Sequence, residues 1–398
     1  MRRTLIVTAV VILVLGAGVF VYFYFFAGPS VTTTPGLPIS GPGAPQPGGT
    51  IGGVPITPSG PTSIGARLVR ISIGPVVLGE AVTSRTTSVG TSSPTTSETT
   101  VSYIERQSGN VYSYSSSSHT ITRTSNKTIP GIQSASWLPN ASVAFVRYLS
   151  GADFSTINTY ALPANGVGGF FMAQNLSGIA VSSTSVLMLA SGGNGSIGSL
   201  TNVDGTHPSQ IFTTPLSSIR VSFSGKNQYL VYTKSSSQIP GDAFIVDSAG
   251  HFSRIAGPQV GLVALASPQG KWVLTSYTAG GTMQMQLVNT TTNEILPLPI
   301  ATIADKCVWA ADDSAIYCGI PMDPPVGVAY PDDWYQGALQ FSDRIWKIQV
   351  SGRYAQLVLD FTKETSGSLD AEALAVDPSN TTLVFVNKND GSLWSYSL

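Results

Sequence analysis

A seven-bladed, all-β propeller is the fold this sequence predicts, and three observations carry it. A short polar turn followed by a β-branched or aromatic run recurs at a nearly constant step. Two phrases of the same character, YIERQSGNVYSYS (Tyr103–Ser115) and FVNKNDGSLWSYS (Phe385–Ser397), stand at the two ends of the repeated region. The composition, 41 Gly and 26 Pro among 398 residues with Ser and Thr throughout, suits many short strands joined by turns. Charge is sparse: 10% of residues are charged and the net charge is -1. That argues against a nucleic-acid surface, which needs clustered Lys and Arg, and against an acidic disordered tail.

In chain order, the first element is an uncharged apolar run, Leu5–Phe26, preceded by Arg2 and Arg3. Roughly 20 apolar residues span a bilayer as a helix. A secretory signal is the competing reading, but its apolar region is shorter and ends in a small-residue cleavage site. Here the run ends in Tyr22, Phe23, Tyr24, Phe25 and Phe26, a cluster suited to a membrane–water interface. The expectation is an uncleaved, single-pass anchor over residues 1–27. Its N-terminus is cytoplasmic by the positive-inside rule, and everything after Gly28 lies outside. Residues 28–65 have no charge, no period, and Pro or Gly every few positions, so they read as a solvated tether.

Residues 66–398 carry the repeat. Anchoring each copy on one turn residue gives Thr96, Pro139, Ser183, Gly225, Pro268, Ala311 and Pro378, with steps of 43, 44, 42, 43, 43 and 67. A fixed step in the low forties is one blade of four antiparallel strands. In the fourth unit the strands read Ile219–Phe223, Tyr229–Thr233, Ala243–Asp247 and Phe252–Ala256. The last unit supplies three strands before the chain ends. ARLVRISIGPVV (Ala66–Val77) resembles the outer strand and crossover of the fourth blade, so Leu68–Ile73 is expected to complete the last blade and close the ring. The two matching phrases then become the second and third strands of adjacent blades.

Two insertions interrupt the period. Residues 84–100 are hydroxyl-rich and read as a mobile loop on the face away from the crossovers, with room for O-glycans in a suitable host. Residues 319–342, between the second and third strands of blade six, explain the long last step. They carry Tyr330, Asp332, Asp333, Trp334, Tyr335 and Phe341. On the crossover face around the channel mouth, these are the candidate binding residues, because exposed Trp and Tyr anchor binding surfaces. Packing of the same aromatics onto the blade is the equal alternative. Asp332–Asp333 after Pro331 reads as a helix start with a capping Asp.

Chemistry is scarce. His119, His207 and His251 fall at the turns into outermost strands of three different blades and cannot converge on a metal. Asp312–Asp313 reads as a hairpin turn. Asp323, Asp332, Asp333 and Asp343 make a calcium site conceivable without specifying one. No Gly-x-Ser-x-Gly elbow and no phosphate-binding loop occurs. Inner strands are nearly free of carboxylates, with Glu80 and Glu372 the exceptions. No catalytic residue, metal or cofactor is expected. Six Asn-x-Ser/Thr triplets, at Asn126, Asn140, Asn175, Asn194, Asn289 and Asn380, carry no weight in a chain this rich in Ser and Thr. Cys307 and Cys318, the only cysteines, fall opposite each other if Ala311–Ser314 forms the loop of their hairpin. A disulfide is favoured over a pair of buried thiols.

The turn SPQGKWVLTSY and the hairpin NVDGTHPSQIF resemble the repeats of TolB-like propellers, and VDSAGHFSRIAG is a looser copy. The resemblance spans Gly65–Leu398 as degenerate repeats, so it specifies architecture better than function. It implies an envelope protein that works by binding other proteins; no individual binding residue carries over. The expectation is a membrane-anchored protein-binding or scaffold module with an envelope or surface protein as partner. The alternatives are a propeller enzyme, a glycan hydrolase or lyase, and a structural cell-surface component.

Overall fold

The structure is a computed structural model, and it describes residues 63–64, 67–87 and 96–398. The anchor expected at Leu5–Phe26 and most of the linker lie outside the described residues. Among the described residues no helix is long and apolar enough to cross a membrane.

Seven antiparallel sheets follow one another along the described chain. Blade one is Ala81–Thr87, Thr96–Ile104, Val111–Ser115 and Thr120–Arg123. Five further blades repeat that order, and the last is built on Ala371–Val376, Thr382–Asn387 and Leu393–Ser397. Blade four shows why the pattern folds this way. Ile219–Phe223 pairs in register with the Tyr229–Thr233 part of Gln228–Thr233, whose apolar residues are buried between neighbouring blades. Adjacent blades are also fastened directly: Trp137 Nε1 donates to Gly79 O, just ahead of the inner strand of blade one, at 3.1 Å, and Trp309 Nε1 to Leu265 O of the inner strand of blade five at 3.2 Å.

Closure comes from the N-terminal side. Leu68–Arg70 pairs antiparallel with Leu393–Ser397, matching Leu68 to Tyr396, Val69 to Ser395 and Arg70 to Trp394. The closing strand is shorter than Leu68–Ile73, because Ile71 and Ser72 turn away to bond at Leu393 and Ile73 is exposed. Ser63–Ile64, expected as linker, pairs with Leu68–Val69 and adds a fifth strand. The two matching phrases are indeed the second and third strands of neighbouring blades. Both need glycine at the same place: Gly109 and Gly391 have φ of 69° and 71°. A Cβ would lie 2.1 Å from Ile129 O at Gly109 and 2.9 Å from the Pro75 Cβ at Gly391.

Residues 84–100 correct the expectation of a loop. Thr87 pairs with Thr96, so the first hairpin is ladder up to and beyond this segment's ends, in keeping with the β preference of its threonines. Only residues 88–95 of it lie outside the described part.

Candidate functional site: the capped channel mouth

In an up-and-down blade, the crossover into the inner strand and the loop between second and third strands emerge at the same end. That end is the channel mouth. The residues immediately before the inner strands of blades six, seven and one are Lys306, Asp370 and Glu80, so successive blades present an ionisable side chain at the same height.

The insertion after Ala315–Pro321 lies over this mouth. Its one helix, Asp332–Tyr335, follows Pro331, and neither aspartate caps it through its side chain. Instead Asp333 Oδ2 accepts from Ala329 N at 2.8 Å, and Asp332 Oδ2 accepts from Ser237 N and Oγ of blade four at 3.0 and 2.7 Å. Trp334 Nε1 donates to Asp370 Oδ2 of blade seven at 3.0 Å, and Phe341 N to the same oxygen at 3.0 Å. Tyr335 OH donates to Asp305 Oδ2 of blade six at 2.7 Å, which also takes Arg220 Nη1 of blade four at 2.7 Å. Thr278 of blade five donates to Tyr330 O at 3.4 Å. Four blades therefore hold the insertion.

Beneath it sits Lys306, wholly buried. Its ammonium meets Asp370, Asp343 Oδ2 at 2.8 Å and Ala371 O at 3.0 Å. The rings of Trp334 and Phe341 lie 4.9 and 5.0 Å from it, within cation–π range. Lys388 Nζ lies 4.8 Å from the Trp334 centroid. Burial pushes the Asp343 carboxyl up to about 6 although Lys306 draws it down. Burial also pushes the Tyr335 hydroxyl well above its ordinary range, with the Asp305 charge adding to the effect.

Of the six sequence-derived candidates, Tyr330, Trp334 and Phe341 are thus buried and pack the insertion onto the blades. Asp332, Asp333 and Tyr335 are half-buried in the contacts just described. The four aspartates weighed for calcium do not converge: Asp343 is spent on Lys306 and Asp332 on Ser237. Among the described residues no group of three or more His, Cys, Asp or Glu could hold a metal. His119, His207 and His251 bond locally, to Tyr114, Thr206 and Asp247 respectively. Asp313 ties blade six to blade five on the opposite face, accepting from Ser267 Oγ at 2.6 Å and Gln269 N at 3.0 Å. Asp312 accepts from Ser314 within its own turn. Cys307 faces Cys318 with Cα atoms 4.1 Å apart and their sulfurs joined.

Glu80 and Glu372 come together at the seam between blades one and seven. Both Glu80 carboxyl oxygens are enclosed without a hydrogen-bond partner. Burial pushes this carboxyl well above its usual range, and the neighbouring Glu372 pushes it further. Glu372 is raised by burial as well, although Lys388 Nζ at 3.7 Å from its Oε2 opposes the shift.

Sequence reasoning missed Arg220, Asp305, Lys306 and Asp370. A signal existed: DKC and LDA place charges directly before apolar inner strands, positions with no reason to be charged unless they face one another.

No protein-family model matches the chain, and no curated protein matches it. Solved structures do. An oligogalacturonate lyase from Vibrio parahaemolyticus is 8% identical, with 83% of this chain and 93% of that one covered and a TM-score of 0.55. The propeller domain of the Trilobed protease from Pyrococcus furiosus, described as having an open velcro topology, is 8% identical, covers 81% and 95%, and scores 0.51. TolB from Acinetobacter baumannii is 10% identical, covers 80% of each chain and scores 0.43, too low to argue from. At these identities the likeness is one of fold. The class is that of seven-bladed, all-β propellers in architecture, here with a ring closed by its own N-terminal strand and a mouth capped by its own insertion.

Proposed function

We propose that the chain is a protein-binding module, held at the outer side of a membrane by Leu5–Phe26, that docks its partner on the mouth face. One observation carries this reading. Of the twelve exposed large apolar side chains among the described residues, six stand at that end of the blades, Ile73, Leu78, Leu149, Phe154, Ile239 and Val326, with Phe154, Ile239 and Val326 67%, 69% and 79% exposed; Val167, 74% exposed, lies at the opposite end and the other five on third or fourth strands. They come from loops of four blades around an insertion that fills the centre. Apolar groups so displayed suit a protein partner better than water. The cystine at Cys307–Cys318 supports an oxidising compartment. Native-size analysis of gently solubilised cells tests the docking. The chain should migrate in an assembly that the combined Phe154→Ser, Ile239→Ser and Val326→Ser variant loses; an unchanged assembly contradicts it. Retention in the membrane fraction after carbonate washing tests the anchor, and a mature protein starting near Gly28 contradicts it.

A second reading, catalysis, is favoured by the Glu80–Glu372 pair and by the lyase fold neighbours. Enclosure of both Glu80 oxygens weighs against it, since a general acid must reach its substrate. Release of unsaturated sugars from oligogalacturonate by the purified chain, lost in Glu372→Gln, would establish it.

A further inference from the structure

The triad beneath the cap holds more than an ion pair needs. Lys306, Asp343 and Asp370 are each wholly buried. One ammonium cannot neutralise two carboxylates, and a surplus charge in a dry site is costly, so a proton stays on the triad. Asp343 suits that role, because burial pushes its carboxyl up to about 6. Its Oδ1 is enclosed without a hydrogen-bond partner, and its Oδ2 stands 2.8 Å from Lys306 Nζ. A carboxyl able to take a proton and return it therefore touches the amine.

Asp370 is placed differently. Its Oδ1 contacts Lys306 Nζ directly. Its Oδ2 takes two N–H donors, Trp334 Nε1 and Phe341 N, each at 3.0 Å. Two donors on one oxygen stabilise the negative charge that collects there when a nucleophile adds to the carboxyl carbon. The backbones are pinned. Asp370 N donates to Asn387 Oδ1 at 3.0 Å, Asp343 N to Leu369 O at 2.9 Å, and Lys306 adjoins the Cys307–Cys318 cystine. The rings of Trp334 and Phe341 cover the ammonium and keep water out.

We propose that Lys306 and Asp370 condense into an intramolecular amide, a covalent tie between blades six and seven, with Asp343 as the proton carrier. The ammonium passes one proton through Asp343 to Asp370 Oδ1. The freed Nζ lone pair attacks Asp370 Cγ, and negative charge collects on Oδ2 between the two N–H donors. A second proton follows the same route, the Cγ–Oδ1 bond breaks with its electron pair on oxygen, and one water leaves. Ammonium and carboxylate become amide and water, Asp343 ends as it began, and no oxidant or cofactor takes part. Contact at a fixed orientation supplies the effective concentration the step needs.

Tryptic mapping of the reduced, alkylated full chain tests this. Trypsin cannot cut after an acylated Lys306. The parent should therefore yield one branched product, Trp272–Arg344 joined to Glu364–Lys388, lighter than the two together by one water. Fragmentation should place the branch at Lys306 and Asp370. Lys306→Arg should give unbranched peptides at full mass. Asp343→Asn, with its folding checked by the melting temperature, should accumulate the branched product at least about ten-fold more slowly after synthesis. Full-mass, unbranched peptides from the parent overturn the proposal. So does a loss of water confined within Trp272–Arg344, which would put the amide on Asp343, and so does an undiminished rate in folded Asp343→Asn.

Discussion

Leu68 faces Tyr396 across the seam of the ring, the first residue of the closing strand against the last aromatic of the chain. Leu68 is wholly buried, and the flanking Arg67 adds a bond from its Nη2 to Ser397 O at 2.6 Å. More than three hundred residues separate the pair, so this contact converts an open row of blades into a ring.

Truncation tests that closure. Deleting residues up to Thr62 leaves the seam intact and should leave the melting temperature unchanged. Deleting up to Ile73 removes the pairing strand and the buried Leu68, a loss of at least 2–5 kcal/mol for that side chain alone, or roughly 5 °C or more. Equal melting temperatures for the two truncations would show that the strand does not close the ring.

Lys306 should be the most sensitive charge. Replacing it with Met leaves Asp343 and Asp370 buried together without a cation, which costs about 3–5 kcal/mol. Adding Asp343→Asn should recover part of that loss, because one of the two stranded charges is gone. Chemical denaturation of the single and double variants measures both. A single variant as stable as the parent means the cation does not hold the cap.

The enclosed Glu80 makes a pH prediction. Its folded-state carboxyl is raised above its ordinary 4.5, so the folded form binds the proton more tightly than the unfolded chain does. Stability from this group is fully present below about 4.5 and is lost as pH rises through the raised folded value. Asp343, raised to about 6, contributes with the same sign. Glu80→Gln removes only the first contribution. The fall in melting temperature between pH 5 and pH 8 should therefore be smaller in the variant than in the parent. Identical falls would mean Glu80 is ionised throughout.

The cystine in blade six closes a short loop and should contribute about 2–3 kcal/mol. Mass measurement after alkylation of the denatured, unreduced protein should find no modified thiol. Two alkylated cysteines would mean that Cys307 and Cys318 are free in the cell.

Much of the architecture was legible because a blade is local. Strand, turn and strand repeat at a fixed step, and the register of the Cys307–Cys318 hairpin follows from its loop alone. The seam was legible because one strand was missing at one end and spare at the other. The mouth was not legible for the opposite reason. Lys306, Trp334 and Asp343 all belong to blade six, but its long insertion must fold back to bring them together, and Asp370 joins them only when blade seven is set alongside. Whether Trp334 faced solvent or core was likewise undecidable, since an aromatic in an acidic loop suits either. The structure buries it because Asp370 accepts its indole N–H.

The central claim is that the mouth face meets a protein partner, and position-specific photocrosslinking in intact cells tests it most directly. A photoreactive residue at Phe154, Ile239 or Val326 should give one discrete, shared crosslinked product. The same residue at Asn140 or Lys226, on the opposite face, should give none. Crosslinks from the opposite face alone, or no product from any of the three apolar positions, would contradict the account.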